Sequence, residues 1–166
     1  MGTRRNPVSK IMQSDLPTPD IMLTVGHKIC LKEIKYYYEI LNKYVFDEQL
    51  TRPKLQIRRM NNSWGRCDGY VVYGSDNTIL AYNTHIILNP KQLCPQLCMV
   101  NLAHEMVHQY QWQIESIDRV KQGKEALMSH GPSFFKWRQK FKYFGLPLAT
   151  GHYAEKIAIH QDIWAN

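Results

Sequence analysis

Between Leu31 and Phe46 the apolar side chains Leu31, Ile34, Tyr38, Leu41 and Val45 recur at intervals of three and four, so they share one face of a predicted helix. Past Pro53 the period changes to two. In RPKLQIRRM, Leu55 and Ile57 alternate with Lys54, Gln56 and Arg58, while YVVYG at 70–74 and HIILN at 85–89 are β-branched runs bounded by Gly, Asp or Asn. Three strands are expected. Asn89-Pro90 and Pro95 then supply helix-start signals, and a long helix is predicted over about 95–113. A loop is expected around 116–131. Gly131-Pro132 then opens a last helix, PSFFKWRQKFKYF, with Phe134, Trp137, Phe141 and Phe144 on one face and Gly145 and Pro147 beyond its end. Residues 1–20 hold Pro7, Pro17 and Pro19 among few apolar side chains and read as a flexible lead-in to a domain spanning 21–166. The order helix, sheet, helix, helix is that of a small α+β domain.

Composition narrows this picture. A chain of 166 residues, 44% hydrophobic and 21% charged, buries one core and is short for two domains. Its four cysteines are sparse, and the N-terminal residues contain no apolar signal-peptide core, which favours a reducing, intracellular setting in cytoplasm, nucleoid or nucleus. No apolar run has the length of a membrane span, so no membrane partner is expected. The net charge of +7 makes polyanions plausible partners.

The predicted helix over 95–113 carries the chemistry. In LAHEMVHQYQW, His104 and His108 are four apart and share a helical face, while Glu105 follows the first histidine, at the rim where a metal-activated water would lie. A shuffled chain of this composition would contain His-Glu-x-x-His on the order of once in a hundred. Two solvated histidines fit poorly among Ala103, Met106, Val107 and Tyr110. Zinc needs a third protein ligand and an open position. Gln111 and Ile114 stand where a metzincin would have Gly and His, so that class is excluded, leaving Glu115, Glu125, Glu155 and His130 as candidates.

Four segments in order, WGRC at 64–67, ILNP at 87–90, LAHEMVHQY at 102–110 and SHGPSFFKW at 129–137, resemble the SprT-like, Spartan-type zinc metalloprotease domain across about residues 30–145. The resemblance implies a small zincin-like fold: an N-terminal helix, a short three-stranded sheet, the active-site helix and a C-terminal helix. It implies one zinc ion held by His104, His108 and His130, with Glu105 as general base. It also implies an endopeptidase acting on DNA-bound or DNA-crosslinked proteins. No cysteine follows Cys98, so the four-cysteine ribbon of many relatives is not expected in these residues.

Three neutral imidazoles would leave zinc its full charge, which lowers the pKa of a bound water to about 7 and suits Glu105 as proton acceptor. Single-stranded or distorted DNA would need cations for phosphates and an aromatic face for bases. Arg58, Arg59 and Arg66 flank Trp64, and Lys136 and Lys140 stand four apart on the last helix, so these six are the candidate DNA contacts. Cys94 and Cys98 read as packing residues, His27, His85 and His160 as surface or strand positions, and Tyr153 is given no oxyanion role. WGRCDGYVVYG lacks a P-loop pattern, so ATP is not expected. Two alternatives stand beside the protease: a zinc hydrolase of another substrate, such as a cell-wall amidase or general peptidase, and a non-catalytic zinc-stabilised DNA-binding module.

Overall fold

In the computed structural model, which describes residues 6–149, the Asn6 side chain accepts a hydrogen bond from the Ser9 amide at 2.9 Å and Pro7 fills the first helical position. Helix α1 (Pro7–Met12) therefore starts inside the stretch expected to be a flexible lead-in. The same device, Thr18 as cap and Pro19 at the first turn, starts α2 (Pro19–Thr24). Proline fixes φ and needs no amide partner in a first turn, so residues that read as breakers act here as starters. Val8, Met12 and Met22 are buried in the core, and the Gln96 side chain donates to the Ser14 hydroxyl at 2.8 Å.

Strand β1 (His27–Lys28) leads into α3 (Leu31–Tyr44), which buries Ile34, Tyr37, Tyr38, Ile40 and Leu41; Leu31, at the helix start, is exposed. Strands β2 (Lys54–Ile57), β3 (Gly65–Tyr73) and β4 (Ile79–Leu88) form a sheet in the order β2-β4-β3, β2 parallel and β3 antiparallel to β4. Two predicted strands are thus longer than the apolar runs that revealed them. Strand β3 is an edge of this sheet among the described residues. Ile86 and Leu88 point into the core with Leu55, Ile57 and Cys67 packed against it. Strand β5 (Lys91–Gln92) pairs with β1.

Helix α4 (Pro95–Tyr110) is buried on nearly every side by Leu97, Cys98, Met99, Leu102, Ala103, Met106 and Val107. Cys94 and Cys98 are buried free thiols, as packing residues should be. The expected single helix over 95–113 instead passes through a π-helical turn, Gln111–Glu115, into α5 (Ser116–Lys121), so the expected loop begins only after residue 121. An extra residue per turn swings successive side chains to different neighbours. Trp112 lies over Gly69 and against Tyr82, ring centres 5.0 Å apart, while Gln113 donates to the Thr51 carbonyl and the Thr84 hydroxyl, both at 3.1 Å. A Cβ at Gly69 would sit 2.3 Å from the Trp112 ring, so glycine is required for this contact.

The last predicted helix is two, α6 (Pro132–Phe135) and α7 (Arg138–Tyr143), with a tightened step where the Trp137 amide donates to the Phe134 carbonyl at 3.3 Å. Phe134, Trp137, Phe141 and Phe144 are all buried, as their spacing predicted. The architecture is mixed α+β and compatible with a small zincin-like fold. No helix among the described residues is long and apolar enough to cross a membrane.

Met12 distinguishes a folded lead-in from a flexible one. Met12→Ala is expected to cost about 2–5 kcal/mol, the range for emptying a buried apolar site. A urea-denaturation midpoint equal to wild type would show that α1 does not belong to the core.

Candidate metal centre

His104 and His108 lie one turn apart on α4, and His130 approaches them from the segment just before α6. The His130 Nε2 atom is 3.1 Å from Nε2 of His104 and 3.1 Å from Nε2 of His108. Ligands at about 2.0–2.1 Å in a tetrahedron stand roughly 3.3 Å apart, so this spacing suits a zinc-sized ion. Phe134 forms the floor, its ring centre 4.8 Å from each of the three imidazole centres.

The hydrogen bonds around His108 orient its ring. The Gln111 amide nitrogen donates to the Ser129 carbonyl at 2.9 Å and to the Ser133 hydroxyl at 2.8 Å, so its oxygen faces His108 Nδ1 at 2.7 Å. That nitrogen must then be the donor, which puts a lone pair on Nε2, towards the other two rings. Burial, then the neighbouring imidazoles, depresses the His104 pKa to about 3. Burial depresses that of His108 to about 4, against the opposing hydrogen bond to Gln111, and also lowers His130. The triad is therefore neutral near pH 7, the state in which imidazole binds metal.

Glu105 points away from this triad's solvent side, towards the sheet. A Cβ at Gly65, the first residue of β3, would lie 3.1 Å from Glu105 Cγ, so the carboxyl is packed under the start of the edge strand. Burial, and secondarily Asp68, raises its pKa to about 8. A dication held by the triad would favour the ionised carboxylate instead.

Neither described glutamate competes for the third-ligand place. Among the described residues the only metal-capable group of three or more His, Cys, Asp or Glu is His104, His108 and His130. Glu115 pairs with Lys136 at 2.8 Å, and Glu125 is exposed on the loop after α5. Glu155, His152, Tyr153 and His160 lie outside the described residues.

The six candidate DNA contacts are not equivalent. Lys136 is paired with Glu115 and stands over the Tyr110 ring, and Lys140 reaches Asp47 at 2.8 Å and stands over Trp137. Arg66 is bonded to Asp68 at 2.7 Å. The basic side expected of the last helix is thus partly spent on internal ion pairs. Arg58 and Arg59 are exposed and have no ion-pair partner among the described residues. Trp64 is half-buried against the core and borders an open depression of about 780 Å³ that also meets Arg59, Asn61, Asn62 and Lys91. His85, expected at a surface or strand position, lies on β4. Its pKa is lowered by burial and then by Lys54, with Arg58 and Arg66 adding and Asp68 opposing, which locates these cations around one position of the sheet.

These shifts fix how the metal-free protein should respond to pH. Below the ordinary imidazole value of 6.5 the unfolded chain takes up protons that the folded His104 and His108 refuse until about 3 and 4, so stability falls as the medium is acidified. Above the ordinary carboxyl value of 4.5 the unfolded Glu105 ionises while the folded one stays protonated to about 8, so stability also falls towards alkaline pH. With two histidines against one glutamate, the expected maximum of the chelator-treated protein is near pH 6.5, and Glu105→Gln should flatten the alkaline limb. Denaturation midpoints at pH 5, 6.5 and 8 check both; a steady rise from pH 5 to 8 would contradict the burial of Glu105.

The described geometry, a triad able to hold a metal ion with a carboxyl beside it on one helix, has a counterpart among family models. The model of the SprT-like family matches residues 34–152, more than two thirds of the chain, and spans every element that contributes to the triad. No curated protein and no solved structure matches the chain. With the matched region covering β2 to β4, the helix of His104 and His108 and the segment of His130, the chain belongs to the SprT-like family.

Proposed function

We propose that this protein is a zinc-dependent endopeptidase of the SprT-like type, acting inside the cell on proteins bound or crosslinked to DNA. The observation that carries the reading is the convergence of three Nε2 atoms beside a buried glutamate that lies under an edge strand. Zinc, when bound by His104, His108 and His130, supplies a Lewis acid that polarises a scissile carbonyl and acidifies water. Glu105 takes the proton of the attacking water and returns it to the leaving amine. The edge of β3, unpaired among the described residues, offers backbone donors and acceptors to an extended substrate, which would lay its chain past Glu105. Among the described residues the group holds three histidines and no cysteine, which favours a catalytic site over a structural one.

The DNA part of the reading rests on a net charge of +7, on Arg59 and Lys91 lining the Trp64 depression, and on the exposed Arg58 next to Arg59 in the chain. Phosphates would meet the cations, and an unpaired base would stack in the depression. Lys136 and Lys140 contribute less, because binding there would have to displace Glu115 and Asp47.

Three measurements test this. Zinc content should fall in His130→Ala and stay near one ion per chain in Glu125→Ala; equal occupancy in both would remove His130 from the site. Glu105→Gln should keep zinc and lose about 10²–10⁴-fold in kcat on a DNA-bound protein substrate, the usual worth of a general base. Combined charge reversal at Arg58, Arg59 and Lys91 should reduce the salt slope of single-stranded DNA binding by about 0.7 per lost phosphate contact and blunt DNA-stimulated cleavage. An unchanged slope would separate this surface from DNA.

A further inference from the structure

Gln111 is fully buried, three residues beyond His108, at the first position of the π-helical turn. A buried primary amide is costly unless its groups are satisfied, and here both ends are used. The oxygen accepts from His108 Nδ1, and the nitrogen donates to the Ser129 carbonyl and the Ser133 hydroxyl. Ser129 immediately precedes His130, and Ser133 follows it by three residues. One neutral side chain thus touches a histidine of α4 and both flanks of the segment that carries the third histidine.

The amide cannot be turned over. With nitrogen and oxygen exchanged, an acceptor would face the Ser129 carbonyl, which can only accept, and the NH₂ would force Nδ1 of His108 to accept. His108 Nε2 would then carry the hydrogen and point it at the centre of the triad. The Ser129 carbonyl, a backbone group that cannot change role, therefore determines the tautomer of His108 through the amide. The spacing makes this possible, because residues three apart are neighbours on a helix surface, so Gln111 lies beside His108 as the chain enters the π turn.

We infer that Gln111 is a positioning residue of the metal centre: it fixes the Nε2 lone pair of His108 and latches the His130 segment to α4. The inference rests on the metal reading proposed above and adds a residue that does not itself contact the ion. Its chemistry separates it from a space-filling role. A carboxylate at 111 still accepts from His108 Nδ1–H but meets the Ser129 carbonyl as a second acceptor, whereas methionine has nearly the same shape and accepts from nothing of comparable strength.

The test compares wild type, Gln111→Glu and Gln111→Met, using zinc affinity by chelator competition and the His108 tautomer from ring ¹⁵N shifts in the metal-free protein. Loss of an outer partner of a metal-bound imidazole weakens binding by about 10- to 100-fold, so Gln111→Met is expected in that range with His108 released from the Nδ1–H form. Gln111→Glu should keep that form and bind zinc more tightly than Gln111→Met. A packing role predicts the reverse order, with the near-isosteric methionine close to wild type and the buried carboxylate worse; that order overturns the inference. The wild-type spectrum needs no variant to fold: an Nε2–H tautomer at His108 also overturns it. If wild type takes up no zinc while His108 shows the expected tautomer, the metal reading fails and the hydrogen-bond assignment stands.

Discussion

Three imidazole Nε2 atoms turned towards one another set the terms for the rest of this chain. The fold brings them together from two segments, α4 and the stretch before α6. His104 and His108 need only the pitch of α4 to face the same way. His130 needs more: Phe134 as a floor under all three rings, the short α6 that follows, and the bonds from Gln111 that hold both flanks. The depressed pKa values of the triad express the same arrangement as burial that withholds protons from bases.

Hydrophobic packing supplies the rigidity. Helix α4 is wrapped by α1, α3 and the sheet, and between its two ends, Pro95 and Tyr110, only Asn101, His104 and His108 are half-exposed. Glu105, adjacent in sequence, falls on the sheet side and is covered by the start of β3, where any side chain larger than a hydrogen at position 65 would crowd it. A polar tie, Gln109 to Tyr38 and to the Thr51 carbonyl, spans α4, α3 and the loop before β2 inside this apolar environment. Helix, strand and loop are thus registered against each other next to the residues that would do the chemistry.

Much of this was legible in the chain, and the failures have physical causes. Periodicity revealed α3, the core-facing part of the sheet and the buried aromatics of 132–144, because burial acts on every third or fourth position or every second one. Local spacing revealed His104, Glu105 and His108, whereas His130 stood out from Glu115, Glu125 and Glu155 only through the resemblance of four segments in order. Residues 7–20 read as a flexible lead-in because Pro7 and Pro19 break structure or begin it depending on the preceding cap, a distinction carried by Asn6 and Thr18. The π turn left no signal in hydrophobic spacing. Its determinants are Gly69 on β3 and the polar ends of Gln111 and Gln113, which find partners only in three dimensions. Charges at Lys136 and Lys140 suggested an open basic face by their interval alone. Asp47, which engages Lys140 from 93 positions away, could not be seen from that interval.

His130 lies 22 positions from His108. Fastening both rings to a single ion closes the intervening segment, including the π turn and α5, into a ring of the kind a disulfide makes. By the loop-closure relation for such cross-links, that is worth about 3 kcal/mol of lost freedom in the unfolded chain. The metal centre would then double as a covalent-like staple in a protein whose cysteines are all unpaired. Catalysis and topology would share one reversible bond set. Withdrawing the ion would return that freedom to the unfolded chain while Gln111, Trp112 and Gln113 still hold the π turn, so a cell's zinc supply would govern how long the folded protein survives as well as how fast it works.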